Sequence, residues 1–246
     1  MQVLDFLILL IVAFVPSLIY LVWIRNTERL GREPYTRLLR VFAFGAIVSV
    51  FIAIVLEVIL MELFYQNVDR VYELLGENPN IDTIVLACVI APFVEELTKA
   101  LGIFRARRFM QEVEDGMIYG AAAGLGFAAT ENLFYESDAF LTNGAEAAIA
   151  TAVVRTLSSV LLHTSASAIV GLGLARSAKQ ARSWVPYYLA AVFMHGLFNL
   201  AASSGPIFEG DIGQSAYLIG LGAAFIIAMG GIRAVRSKIR LLERYG

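Results

Sequence analysis

Residues 83–104 read TIVLACVIAPFVEELTKALGIF. A helix needs about 20 mostly apolar residues to cross a bilayer, and this run is long enough. Yet Glu95, Glu96 and Lys99 stand within it. Ionisable groups inside lipid are costly, so where they occur they mark function. Working outward, six further apolar stretches lie at roughly 4–24, 41–63, 117–136, 156–175, 184–203 and 214–232. Three of them also carry polar groups: Glu131 and Asn132 in the fourth span, His163 in the fifth, His195 and Asn199 in the sixth. Four spans with such residues point to one shared site.

The bulk composition agrees. Of 246 residues, 59% are hydrophobic and 16% charged, with mean hydropathy +0.72. A soluble domain has about 45–50% apolar and about 25% charged residues. The expectation is an all-α, polytopic transmembrane bundle of about seven spans, one integral-membrane domain over 1–246 in the cell membrane. No basic face suggests a nucleic-acid partner. Cys88 is the only cysteine, so no intrachain disulfide and no cysteine-rich metal site can form. Residues 4–24 lack a basic n-region and an A-x-A cleavage site, which predicts a retained first helix rather than a signal peptide. Segment 144–155 is expected to lie at the interface or cap the fifth span.

Loop charges orient the bundle. Sixteen of the 19 basic residues fall on one side: Arg25 to Arg40, Arg105 to Arg108, Arg176 to Arg182, and Arg233 to Arg244. The opposite loops carry Asp69, Glu73, Glu77, Glu136, Asp138, Glu146, Glu209 and Asp211. The positive-inside rule then puts the N-terminus outside and the C-terminus in the cytoplasm. Arg155, at a span edge, reads as a snorkelling anchor at the outer interface, with a pairing to Glu131 or to Glu57 as the alternative.

Counting helical rise from the nearest cytoplasmic charge puts Glu95 roughly 15 Å deep, His163 and His195 roughly 20 Å, Glu131 roughly 24 Å and Asn199 roughly 25 Å. In a core about 30 Å thick, these are the middle and outer half. His195 and Asn199 share a helix face, as do Glu95 and Lys99, in the favourable acid-before-base order. Pro92 removes a helical hydrogen bond just before the acids and predicts a kink there. Glycines 116, 120 and 124 form a ladder of small residues that lets helices approach closely.

Peptide hydrolysis needs an activated water, stabilisation of the carbonyl oxygen and a proton for the leaving amine. A buried glutamate can hold the water and shuttle the proton, a histidine can share that work, and an asparagine amide can donate to an oxyanion. Alternatively, two histidines and a glutamate hold zinc, with a second glutamate as base. His163, His195 and Glu131 are the candidate ligands, although no HExxH or other local zinc pattern is present. Lys99 and Asn132 are read as supporting groups.

The strings EELTK at 95–99, DGMIYGAAAGLGFAATENLFY at 115–135, His163 within LLHTSASAIVGLGLA, and HGLFN at 195–199 resemble the PrsW family of intramembrane proteases. That family belongs to the superfamily of CAAX prenyl proteases and bacteriocin-processing enzymes. The motif core covers 83–203. The resemblance implies a membrane-embedded peptidase in which Glu95 activates water, Glu96 supports it, and His163, His195 and Asn199 bind water, metal or oxyanion. Glu131 stands where many superfamily members place a histidine, as the PrsW branch would. The branch implies a single-span membrane protein as substrate, such as an anti-sigma factor cut on its extracytoplasmic side. Whether the chemistry is glutamate-dependent or metal-dependent stays open. Two other classes fit the same residues: a proton- or cation-coupled transporter, whose usual inverted repeat is not visible here, and a catalytically silent binding or immunity protein.

Overall fold

A computed structural model describes residues 1–75 and 80–245; Glu77 lies outside the described residues. All regular structure among them is helical. The helices are α1 (Val3–Arg25), α2 (Tyr35–Ala43), α3 (Val50–Tyr65), α4 (Val68–Leu75), α5 (Ile81–Thr83), α6 (Ala91–Ala106), α7 (Val113–Asn143), α8 (Ala145–Leu157), α9 (Ser159–Gln180), α10 (Val185–Ala202), α11 (Ser204–Ile212) and α12 (Ser215–Tyr245). Wide π-helical segments, Phe44–Ser49 and Ile84–Ile90, join α2 to α3 and α5 to α6.

Among the described residues, five helical stretches are long and apolar enough to cross a membrane: Val3–Arg25, Tyr35–Tyr65, Ala145–Gln180, Val185–Ala202 and Ser215–Arg244. The runs expected at 83–104 and 117–136 are helical too. They are less apolar because they hold the polar groups: Glu95, Glu96 and Lys99 on α6, and Glu131 and Asn132 in a Gly/Ala-rich α7. On α6 these three charges are buried, whereas Phe93, Leu97, Leu101 and Phe104 form an exposed stripe. A helix that hides its charges and exposes its phenylalanines is built for an apolar solvent.

Helix α7 is the axis of the bundle, with nearly every residue from Glu114 to Ala129 buried. Its glycine ladder explains how. A methyl at Gly116, Gly120 or Gly124 would overlap the carbonyl oxygens of Gly171, Ser167 and His163 respectively, so α7 and α9 lie backbone against backbone. This contact brings His163 beside α7. The expected kink near Pro92 takes the form of the wide turn at Ile84–Ile90. Pro92 has no N–H to give the carbonyls one turn back. Helix α10 covers them: Asn199 Nδ2 donates to the Ala87 carbonyl at 2.7 Å, and Gly196 lies against the Cys88 carbonyl. The fifth stretch breaks at Ser158, between α8 and α9.

Candidate active site

Lys99 is the centre of the polar cluster. It is fully buried, and its Nζ donates to Glu95 Oε2 at 3.1 Å, to Glu96 Oε1 at 2.8 Å and to His163 Nδ1 at 2.8 Å. The ammonium also sits 4.2 Å from the Phe127 ring centroid. An ammonium has three protons, and all three are used. Because a charged lysine only donates, His163 Nδ1 must accept. The His163 proton is then on Nε2, which donates to Glu131 Oε2 at 2.8 Å.

Glu96 is saturated as well. Its Oε1 also accepts from His195 Nδ1 at 3.1 Å, and its Oε2 accepts from Ser167 at 3.0 Å. That bond fixes the His195 tautomer: Nδ1 carries the proton and Nε2 keeps its lone pair. Nε2 lies 3.9 Å from Glu95 Oε2, and the two imidazoles meet edge to face at 4.8 Å between centroids. Glu95 thus faces His195 Nε2 on one side and His163 Nδ1, 3.7 Å away, on the other.

Glu95 also lines a cavity of about 430 Å³, together with Glu57, Glu131, Arg155 and Asn199. Apolar side chains including Val50, Leu86, Phe127 and Phe198 form the rest of its wall. Glu131 is paired with Arg155 at 2.9 Å. Arg155 further donates to Asn132 Oδ1 at 2.8 Å and to Ser159 at 3.1 Å, and stacks 3.8 Å from the Tyr135 ring centroid. It is therefore part of the site wall and not the outer anchor that its span-edge position suggested. The break at Ser158 turns this end of α8 inward.

All eight residues singled out in the sequence lie in or beside this cluster, in different roles. Glu95, Glu131 and Asn199 reach the cavity; Glu96 and Lys99 stand behind it; Asn132 holds Arg155. Three participants are not among those eight. Ser167 is four residues from His163 and so on its face. Phe127 is likewise four residues before Glu131. Glu57, on α3, has a buried carboxyl oxygen without a hydrogen-bond partner; no spacing signal ties it to the other acids.

Glu95, His163 and His195 are all buried, and one ligand atom from each lies within 4.8 Å of the others, so the three can hold a metal ion. Two imidazoles with one carboxylate form a donor set suited to zinc. The carboxylate in this group is Glu95; Glu131, the expected ligand, contacts the opposite nitrogen of His163. Charge points the same way. Among the described residues, Glu57, Glu95, Glu96 and Glu131 face two cationic side chains, Lys99 and Arg155, and a divalent cation would make up the difference. The donor types and the charge therefore fit a metal. His195 Nε2 is open to it, whereas the His163 Nδ1 lone pair is held by Lys99.

The profile of the PrsW family intramembrane metalloproteases matches residues 33–229. "Protease PrsW" of Clostridioides difficile (strain 630) is 30% identical over 201 residues, covering 78% of this chain and 77% of that protein. "Protease PrsW" of Geobacillus kaustophilus (strain HTA426) is 29% identical over 171 residues, covering 68% of this chain and 67% of that protein. No solved structure matches. A buried carboxylate–imidazole cluster beside an intramembrane cavity, and a family match that runs across the helices supplying it, lead to one identification: the chain belongs to the PrsW family of intramembrane metalloproteases and is a multi-pass membrane peptidase acting on membrane proteins.

Proposed function

We propose that the chain forms one seven-span unit over 1–246, N-terminus outside, that cuts a single-span regulatory protein such as an anti-sigma factor within the outer half of the membrane. The α5–α6 run and α7 are the two further spans beyond the five apolar ones. Their support is the exposed stripe of Phe93, Leu97, Leu101 and Phe104 on α6 and the one-sided distribution of basic loops.

In this reading the cavity holds the unwound substrate segment, and Glu95 is the catalytic residue that takes a proton from the attacking water. Water adds to the carbonyl carbon, forming the C–O bond and an oxyanion; the oxyanion then collapses, the C–N bond breaks and the proton passes from Glu95 to the leaving nitrogen. His195 Nε2, facing Glu95, helps place that water. Lys99 and Glu96 are positioning residues: they fix the carboxylate and both imidazole tautomers. Asn199 gives one amide N–H to Ala87 and has a second for the oxyanion, with the Arg155 guanidinium on the same wall. A divalent metal held by Glu95 and His195 Nε2, and by His163 Nδ1 once Lys99 releases it, would supply Lewis-acid polarisation of water and carbonyl. Glu131, on the far nitrogen of His163, is then the second carboxylate in the cavity.

One observation carries the reading: Glu95, with His163 and His195 grouped against it, lines a cavity between the helices. The test is cleavage of a panel of single-span proteins by the purified enzyme in proteoliposomes. Glu95→Gln is expected to lower turnover by at least about a hundredfold, the size of an acid–base contribution. Normal turnover in that variant would refute the assignment of Glu95.

A further inference from the structure

The cytoplasmic end of the bundle has a second concave site unrelated to the cluster above. A cavity of about 440 Å³ lies between the end of α1 and the last turns of α12. Arg233, Arg236, Arg240 and Arg244 line it, with Trp23 and the apolar Met229 and Ile232 at its membrane side, and no carboxylate takes part. The arginines recur at intervals of three and four residues, so they share one helix face.

Four guanidiniums gathered on one wall repel each other unless an anion joins them. Among the described residues, Arg233, Arg240 and Arg244 make no ion pair. Arg236 is the fixed member: its Nε donates to Thr27 Oγ1 at 2.9 Å, and its guanidinium stacks 4.0 Å from the Trp23 ring centroid. Both partners belong to the α1 end, so the cavity is held open by contacts that leave the remaining guanidinium N–H groups free. Helix α12 has 31 residues, about 46 Å at 1.5 Å per residue, and outruns a hydrocarbon core of about 30 Å. Its arginine end therefore stands at and beyond the headgroup layer, where tryptophan is also favoured.

We propose that this cavity is a binding site for the phosphate headgroup of an anionic phospholipid of the cytoplasmic leaflet. The phosphate sits among the arginines and the acyl chains run down the seam past Met229 and Ile232. Guanidinium forks suit phosphate oxygens, and basic pockets between spans at the cytoplasmic face take anionic headgroups. The apolar floor favours a lipid over a soluble phosphate or an acidic peptide. The inference rests on the orientation proposed above but not on catalysis, and its readout is independent of cleavage.

The test is native mass spectrometry of the full chain released from micelles containing phosphatidylglycerol, phosphatidylcholine or inorganic phosphate. Retention of one phosphatidylglycerol and no phosphatidylcholine is expected. Arg233→Gln with Arg240→Gln should weaken retention roughly thirtyfold, each guanidinium contributing about fivefold. Arg233→Lys with Arg240→Lys, which keeps the charge, should retain most of the binding and controls for folding. Arg105→Gln with Arg107→Gln, at the other basic cleft of the same face, should leave it unchanged. Equal retention of phosphatidylcholine, an equal loss in the Arg105/Arg107 pair, or displacement of the lipid by equimolar inorganic phosphate or an acidic peptide would overturn the proposal.

Discussion

Replacing Lys99 by methionine keeps the length of the side chain and removes its charge. In the structure that charge is bonded to Glu95 Oε2, Glu96 Oε1 and His163 Nδ1, with no water-exposed surface. Methionine would leave two buried carboxylates facing one another and an imidazole lone pair without a donor. Removing one partner of a buried ion pair costs about 3–5 kcal/mol. At about 2–4 °C per kcal/mol for a chain of this size, unfolding should begin about 6–20 °C earlier. Cys88, the only cysteine, provides the assay. A maleimide that fluoresces on reaction with its thiol reports melting of the Ile84–Ile90 turn, at the same heating rate for each variant. The double variant Lys99→Met, Glu96→Gln also removes one of the stranded charges. It should recover about 0.5–3 kcal/mol relative to the sum of the single losses. A Lys99→Met protein that melts within about 2 °C of wild type would refute the lysine's role as keystone. A strictly additive double variant would refute the Lys99–Glu96 pairing.

Other perturbations separate neighbouring groups. In zinc titrations of metal-free protein, Glu131→Gln should weaken binding about tenfold, the cost of losing the carboxylate that orients a ligand histidine, and His195→Ala and His163→Ala should each cost more, because each removes a ligand. An equal loss in Glu131→Gln would move the metal to the other side of His163. Glu57 lines the cavity and has a carboxyl oxygen without a partner, so Glu57→Leu, which removes the acceptor, should raise KM roughly tenfold for a substrate that donates to it, with kcat little altered. A fall in kcat at constant KM would instead give Glu57 a part in the chemistry. At the end of the bundle that carries the basic loops, burial, with Asp115 beside it, pushes the Glu28 carboxyl from its ordinary 4.5 up to about 8. The unfolded chain ionises first, so this group's contribution to stability is complete below pH 4.5 and is lost as pH rises to about 8. Glu28→Gln should flatten the melting temperature across that window and be the more stable protein above it; an unchanged slope would count against the buried assignment.

The membrane character and the cluster were legible because lipid imposes a simple rule. Glu95, Glu96, His163 and His195 cannot each be solvated alone in an apolar medium, so their meeting could be inferred before any coordinates. What the linear pattern could not carry is the azimuth of one helix against another. Glu95 and Glu131 both face His163. Only the approach of α7 to α9 along the glycine ladder decides that Glu131 takes Nε2 while Glu95 faces Nδ1. The same limit hid Arg155. A cation at a span edge has one appearance in sequence whether it snorkels out or turns in, and the backbone break at Ser158 makes the choice. Asn199 illustrates a third case. Its helical spacing from His195 put it on the right face, but its bond to Ala87 exists because Pro92 leaves a carbonyl uncovered two helices away.

These particulars also explain why one lysine matters so much. Both imidazole tautomers follow from a chain of donors that starts at Lys99: its bond to His163 Nδ1 sends the His163 proton to Glu131, and its bond to Glu96 leaves that carboxylate placed to take the His195 proton. The outcome is a single imidazole nitrogen, His195 Nε2, with a free lone pair facing Glu95. A site that needs one carboxylate and one open nitrogen at a water-sized separation obtains them from a cation that touches neither the cavity nor the substrate. Loss of that cation should therefore damage chemistry and stability together, whereas loss of Glu95 should damage chemistry with far less effect on stability. Comparing cleavage and melting in the Lys99→Met and Glu95→Gln proteins distinguishes the two kinds of residue, and equal losses of both properties in the two variants would show that the division between positioning and catalysis drawn from these contacts is wrong.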